Sequence, residues 1–256
     1  MTATATSTEY NQLIKTAKEC NALGSTISLL HWDQEVMMPK NGIEFRADQI
    51  SLTSRLYHEM KTNPKNGDLI SACEADDDLV GDPTSASAAN IREIRHEYDR
   101  ATKLPASLVE EEAMLSSRGQ SAWAEARKNN EFSEFQPWLE KIVNLLQRKA
   151  ECYGWSEGGE PWDALAEDYE PGCTAASVSE VFTPLRVKLQ SLLDDLMGSD
   201  KKPSNKFNAL VLPIDQQKKF VNAIASQIGF DFQSGRLDES THPFCSGTHC
   251  NDVRMT

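Results

Sequence analysis

Apolar residues recur at three- and four-residue intervals along most of this 256-residue chain. The first such segment runs from about Ser7 to Val36 and is ended by Pro39. Others cover about 42–60, the surroundings of Ile91, a segment with Leu108, Leu115 and Trp123 that Pro105 precedes, and a separate segment from Phe135 to Leu146. This spacing places apolar side chains on one face of an α-helix, so each segment predicts an amphipathic helix. The predicted fold class is therefore mainly α, a multi-helix body.

The signals between these segments predict turns and caps. The pairs Asn63-Pro64 and Asn66-Gly67 mark the end of the second helix, and the acidic run 76–78 is typical of a solvated loop. Thr174 is expected to cap a helix, and Pro213 and Gly229 to begin and end another.

The segment from Gly154 to Gly172 interrupts the helical pattern with glycines, prolines and acidic residues. It also carries Trp155, Trp162 and Tyr169, which are large side chains to leave in water. We therefore expect an ordered loop here, with these aromatic rings packed.

The last part of the chain has a different pattern. The helical period is lost from Phe230 onward, and Asp252 to Thr256 alternates apolar and polar residues. Alternation predicts a short strand with Val253 and Met255 on one face, and a hairpin within the tail is the available partner. We predict one domain over 1–256, with a helical body at 7–229 and a strand and loop segment at 230–256.

Composition excludes several classes of function. Lys and Arg total 26 and Asp and Glu total 39, a formal charge of −13, which disfavours nucleic-acid binding. No apolar run is long enough to span a bilayer, and the N-terminus lacks the pattern of a secretory signal. Six scattered cysteines do not form a dense disulfide framework, so the expected location is cytoplasmic.

Histidine and cysteine patterns give no clear catalytic set. The 256 residues contain no HExxH, no glycine-rich phosphate loop and no G-x-S-x-G. His31, beside Trp32 and Asp33, is typical of a packed helix residue rather than a catalyst. A zinc site is an alternative for the tail, where the sequence places His242, Cys245, His249 and Cys250. Their spacing lacks the usual two-residue knuckle, which favours unligated side chains.

The same tail also offers a recognition site. Arg254 on a strand presents a planar, always-charged fork that suits a carboxylate, and Asp252 lies two residues away on the same face. Pro243 stiffens the segment that holds His242, and Phe244 is suited to the wall of a pocket. From the residues alone, an ordinary strand with an ion pair between Asp252 and Arg254 is the favoured interpretation, because surface ion pairs are common, and the recognition site stays open as the alternative.

The order of several short motifs identifies a family. The chain resembles the carboxypeptidase Taq family of metal-dependent carboxypeptidases over almost its whole length. The resemblance is carried by Leu29–Pro39, Asn90–Arg95, Tyr98–Pro105, Tyr169–Gly172, Gly229–Phe232, Gly235–Asp238, His242–Phe244 and Asp252–Thr256.

The resemblance implies a mostly helical, deeply clefted peptidase, usually a homodimer, that removes single residues from peptide C-termini with zinc or cobalt. Its HPF and DxRxT motifs match this chain and imply substrate contact at six residues. These residues are His242, Pro243, Phe244, Asp252, Arg254 and Thr256.

The family's metal-binding HExxH helix is expected after DxRxT, and these 256 residues do not include it. The resemblance therefore implies the N-terminal part of a peptidase, with no catalytic residue and no metal ligand of its own and no activity alone. The alternative is a non-catalytic helical interaction module derived from such a peptidase.

Overall fold

A computed structural model describes residues 7–256. Helices make up most of this part of the chain. They are α1 (Thr8–Val36), α2 (Ile43–Lys61), α3 (Pro64–Glu74), α4 (Asp77–Val80), α5 (Ala86–Thr102), α6 (Ala106–Asn129), α7 (Phe132–Tyr153), α8 (Pro161–Ala166), α9 (Ala175–Gly198) and α10 (Ile214–Gln227), with a 3₁₀ turn at Lys40–Gly42. The mainly α fold class is confirmed.

Helix ends follow local chemistry at the positions that the sequence marks. The Thr174 hydroxyl accepts a hydrogen bond from the Ser177 backbone N–H at the start of α9, as predicted. Gly229 follows α10 with a φ of +89°, a left-handed conformation that a glycine adopts without strain. Pro213 directly precedes the first residue of α10.

The predicted end of the second helix at Asn63-Pro64 is confirmed, since α2 ends at Lys61. The same pair also begins α3, because the Asn63 side chain accepts from the Lys65 N–H and Pro64 takes the first helical position, where no N–H is needed. Two other turn signals are wrong. Asn66-Gly67 lies inside α3. The acidic run is the start of α4 rather than a loop, since the Asp76 carboxylate caps the N–H of Asp78.

The described chain divides into two compact units. One joins the residues up to Tyr153 with Ser234–Thr256, and the other is Gly154–Gln233. The boundary therefore differs from the helical body and tail segment that the sequence pattern separates at residue 229. The single domain over 1–256 stays a prediction.

The first unit contains the large buried side chains. One cluster joins α1, α3, α4 and α5 through Leu13, Ile70, Cys73, Leu79 and Ile91. Another joins α6 and α7 through Leu108, Leu115 and Leu145. Burying a leucine or isoleucine contributes about 1.5–3 kcal/mol, so these clusters supply much of the unit's stability.

The second unit buries far less apolar surface. Within 154–233 the buried residues are Ala164, Ala166 and Ala225, all small. The expectation that the aromatic rings of the 154–172 loop are packed is wrong, because Trp155 and Trp162 are exposed and Tyr169 is 88% exposed. Part of this loop forms α8, whose first turn is capped by Glu160 and Asp163.

The tail forms a small sheet in the first unit. Strands β1 (Gly235–Leu237), β2 (Cys245–His249) and β3 (Asp252–Met255) lie in the order β1-β3-β2. The predicted hairpin is confirmed as the antiparallel pair β2 and β3, and β1 adds a parallel partner that the sequence did not indicate. No helix within 7–256 has both the length and the apolar character needed to cross a membrane.

Candidate substrate site

A cavity of about 680 Å³ in the first unit brings the tail together with the helices. It lies between the C-terminal part of α1, one face of α6, the first half of α7 and the loop before β2. Its lining residues are His31, Gln34, Glu35, Ser116, Gly119, Gln120, Trp123, Phe135, Ile142, His242 and Phe244. Two of the six residues that the sequence predicts to contact substrate, His242 and Phe244, therefore face the same space.

Thr256 fastens the loop that carries Phe244 to the end of β3. Its hydroxyl accepts from the Phe244 N–H at 2.8 Å and lies 3.1 Å from the Phe244 carbonyl oxygen. The Thr256 N–H also donates to that carbonyl at 3.0 Å. The two sequence motifs are thus hydrogen-bonded to each other, and Thr256 acts on the cavity through Phe244.

Asp252 and Arg254 form the ion pair that the sequence left as one of two interpretations. Nε and Nη2 of Arg254 donate to the two carboxylate oxygens of Asp252 at 2.9 and 3.1 Å. The Arg254 guanidinium, and next the hydroxyl of Thr248, lower the pKa of Asp252. The Arg254 side chain is only 15% exposed.

Trp32 joins this ion pair to α1. Its ring is buried, and the Arg254 guanidinium carbon lies 4.1 Å from the ring centroid. Arg236, in register with Arg254 on the neighbouring strand β1, lies 4.9 Å from the same centroid and pairs with Asp238. Cation–π contacts of this kind contribute about 0.5–2 kcal/mol each, and they anchor the sheet on the helix. Arg236 lies in the stretch Gly235–Asp238 that carries the resemblance, but in neither the HPF nor the DxRxT motif, so the sequence did not indicate this role.

His242 lies against the wall of α6. Its ring and that of Trp123 are 6.1 Å apart in an edge-on arrangement. Its Nδ1 is 2.9 Å from the carbonyl oxygen of Pro243, which fixes the ring's orientation. On α6, Arg127 lies 5.3 Å from the Trp123 ring centroid and donates weakly to the Thr241 carbonyl at 3.4 Å. Pro243 itself is exposed and is not among the residues that line the cavity.

The α1 motif supplies the polar part of the cavity. Burial lowers the pKa of His31, and the nearby Glu35 carboxylate opposes that effect. Glu35 accepts from the side-chain amides of Gln34 and Gln120, each at 3.2 Å. The Ser117 hydroxyl in turn donates a hydrogen bond to Oε1 of Gln34 at 2.5 Å. The sequence pattern indicated a packed role for His31 and no role for Glu35, although both lie in the stretch Leu29–Pro39 that carries the resemblance.

A metal site does not fit the described residues. Within 7–256, no three His, Cys, Asp or Glu side chains converge on a point where they could hold an ion. Cys245 and Cys250 are free and exposed, and Cys250 Sγ lies 3.5 Å from Nδ1 of the adjacent His249. The alternative zinc site in the tail therefore gains no support from the described residues.

Comparison with known proteins agrees with the resemblance. Residues 12–256 match the model of the carboxypeptidase Taq (M32) metallopeptidase family. The chain is 36% identical to thermostable carboxypeptidase 1 of Thermus thermophilus, over 96% of this chain and 50% of that protein. It is 32% identical to carboxypeptidase 1 of Bacillus subtilis, over 93% of this chain and 47% of that protein.

Solved structures give the same result. The M32 carboxypeptidase from Deinococcus radiodurans superposes with a TM-score of 0.78 at 31% identity, covering 97% of this chain and 49% of that one. The chain thus spans about half the length of the relatives it matches. It belongs to the carboxypeptidase Taq (M32) metallopeptidase family, and the resemblance drawn from its motifs is confirmed.

Proposed function

We propose that this member of the M32 family supplies the peptide-binding wall of a metal-dependent carboxypeptidase, which releases single residues from peptide C-termini. One observation carries the proposal: His242 and Phe244 line the same cavity as the α1 motif and Trp123. The carboxypeptidase names of the relatives support the reaction class, and the half-length match supports assignment to the N-terminal part of such an enzyme.

The six substrate-site residues divide into two roles under this proposal. His242 and Phe244 contact the peptide, because they line the cavity. Thr256 holds the backbone of Phe244, and the Asp252–Arg254 pair stacks the sheet on Trp32. Holding a substrate in one orientation removes much of the entropic part of a reaction barrier, so a rigid wall contributes to catalysis without itself reacting. Pro243 stiffens the loop between the two contacting residues.

Under the same proposal, the metal ligands of the complete enzyme lie outside residues 7–256. A divalent ion, zinc or cobalt, supplies a Lewis acid and an activated water in a complete family member. Because no three-ligand group converges within 7–256, we propose that this chain alone binds peptides without cleaving them. A homodimeric assembly and a cytoplasmic location are further proposals, which rest on the family and on composition respectively.

Peptide titration calorimetry with two matched variants tests the proposal. Phe244→Ala removes a ring from the cavity wall, whereas Phe132→Ala removes an exposed ring at the start of α7 that does not line it. A peptide with a free C-terminal carboxylate is expected to bind the unmodified chain, and Phe244→Ala should weaken binding roughly tenfold through lost apolar contact. Phe132→Ala should leave the dissociation constant within about twofold. Equal losses in the two variants would contradict the proposal.

The helical interaction module remains the second candidate, and α9 is the observation that favours it. No residue of α9 is buried, and most of its apolar side chains are exposed. Extended exposed apolar surface is typical of protein interaction sites. Absence of binding to any free-carboxylate peptide, together with retention of the fold, would favour this candidate over the peptidase.

A further inference from the structure

The cavity combines apolar walls with a single carboxylate. Phe135, Ile142 and Phe244 contribute rings and methyl groups, whereas Glu35 is the one acidic residue among the lining side chains. A carboxylate beside apolar surface is costly unless a donor or a cation satisfies it. The carboxylate of Glu35 therefore needs hydrogen-bond donors or a cation beside it.

Neutral donors hold the carboxylate in place without neutralising it. Gln34 Nε2 donates to one oxygen of Glu35, and Gln120 Nε2 donates to the other, both at 3.2 Å. The Ser117 hydroxyl fixes the amide of Gln34 from the far side at 2.5 Å. These bonds orient the Glu35 side chain, so its position in the cavity wall is determined before any ligand arrives.

Neither His31 nor Arg46 supplies the missing positive charge. Burial lowers the pKa of His31 below the usual histidine value, which leaves its imidazole neutral at pH 7. Arg46, on α2, is paired with Asp33 at 2.6 Å and donates to the Leu30 carbonyl. Within 7–256, Glu35 makes no ion pair with a lysine or arginine.

We propose that this cavity receives a lysine or arginine side chain of a peptide, with the cationic head at Glu35 and the methylene stem against Phe135 and Phe244. The occupant matches both features of the cavity, since long basic side chains place an apolar stem on apolar surface and keep a charged end. A charge-assisted bond to a fixed carboxylate is stronger than a neutral one. The inference rests on the proposed function and names a class of peptide that the site prefers.

The test compares lysine with norleucine, which has the same stem length without the charge. Four N-acetylated tetrapeptides with free carboxylates carry lysine at one position each, among alanines, and four matched peptides carry norleucine there. Calorimetry measures binding of each to the unmodified chain, to Glu35→Gln and to Glu19→Gln. Glu19 is the control, because it is an exposed carboxylate on the same helix α1 and does not line this cavity.

At one position at least, lysine is expected to bind about five- to tenfold tighter than norleucine to the unmodified chain and to Glu19→Gln. In Glu35→Gln this ratio should fall to about one. The ratio is the readout because a general loss of folding weakens both peptides alike. Equal binding of lysine and norleucine peptides at all four positions, or an unchanged ratio in Glu35→Gln, would overturn the inference and leave the proposed function standing. Absence of binding by all eight peptides would overturn both.

Discussion

Helices α7 and α9 have similar lengths, and both carry many apolar side chains, yet they differ in how much of that apolar surface is buried. Helix α7 has 22 residues and buries Leu145, Ala150 and Tyr153, and it packs against α6. Helix α9 has 24 residues and buries none. Its exposed apolar side chains are Val181, Phe182, Leu185, Val187, Leu189, Leu192, Leu193, Leu196 and Met197. Apolar side chains at helical spacing therefore predict a helix, but they do not determine what the apolar surface of that helix contacts.

The largest expected effect is on stability at Leu145. Leu145→Ala removes a side chain that is 2% exposed in the cluster with Leu108 and Leu115, and it should lower the free energy of unfolding by about 3 kcal/mol. Leu189→Ala, on α9 and 53% exposed, should change it by less than about 0.5 kcal/mol. Urea unfolding followed by circular dichroism measures both, and similar losses would show that α9 is covered after all.

A smaller effect is expected where the tail is fastened. Thr256→Val keeps the shape of the side chain but removes the hydroxyl that accepts from the Phe244 N–H. Loss of that acceptor should destabilise the tail by about 1 kcal/mol. Amide hydrogen exchange should show faster exchange at Phe244 and along β2 and β3, with α9 unaffected. Unchanged exchange at Phe244 would show that Thr256 does not hold the cavity wall.

The ion pair in β3 should make the stability of the first unit depend weakly on pH. Arg254 lowers the pKa of Asp252, so the pair stabilises the folded chain above the ordinary aspartate pKa of about 3.9. That contribution is lost as the pH falls through the lower folded-state pKa. Because the carboxylate is partly exposed, it should be below about 1 kcal/mol.

The matched variant for this prediction is Asp252→Asn. Urea unfolding at pH 6 and pH 2.5 should show a smaller loss of stability on acidification in the variant than in the unmodified chain. The same loss in both proteins would show that Asp252 is not linked to folding.

The smallest change in stability is expected for substitutions on α9, where dye fluorescence measures the exposed apolar surface. A hydrophobic dye should bind the unmodified chain, and Leu189→Ser with Leu193→Ser should lower its fluorescence by roughly half. The free energy of unfolding should change by less than about 1 kcal/mol, because both leucines are exposed. Undiminished fluorescence would place the dye site elsewhere.

The features of the fold that were predictable depend on local signals. Thr174 acts through its side-chain hydroxyl and Gly229 through its backbone geometry, and both occupy the helix ends that the sequence marks. Asn63-Pro64 correctly marked the end of α2, but it did not indicate α3, because the same pair can follow one helix and begin the next. Trp162 and Tyr169 were expected to be packed on the basis of size alone, and packing depends on neighbours that a local pattern does not show.

The candidate site was predictable only in part for a related reason. His242 and Phe244 belong to one three-residue motif, and both line the cavity. Glu35 and Trp123 are separated from them by more than a hundred residues, so their contribution appears only when α1, α6 and the tail pack together. Arg236 was missed because its role depends on register with Arg254 across two parallel strands.

Chemical-shift mapping of a peptide on the isotopically labelled chain tests the central claim most directly. A tetrapeptide with a free C-terminal carboxylate is titrated, and the perturbed amides are assigned to positions in the chain. We predict changes in the amide chemical shifts around His242, Phe244, Trp123 and Glu35, which border the cavity, and none along α9. Perturbations concentrated on α9, with the cavity residues unchanged, would contradict it.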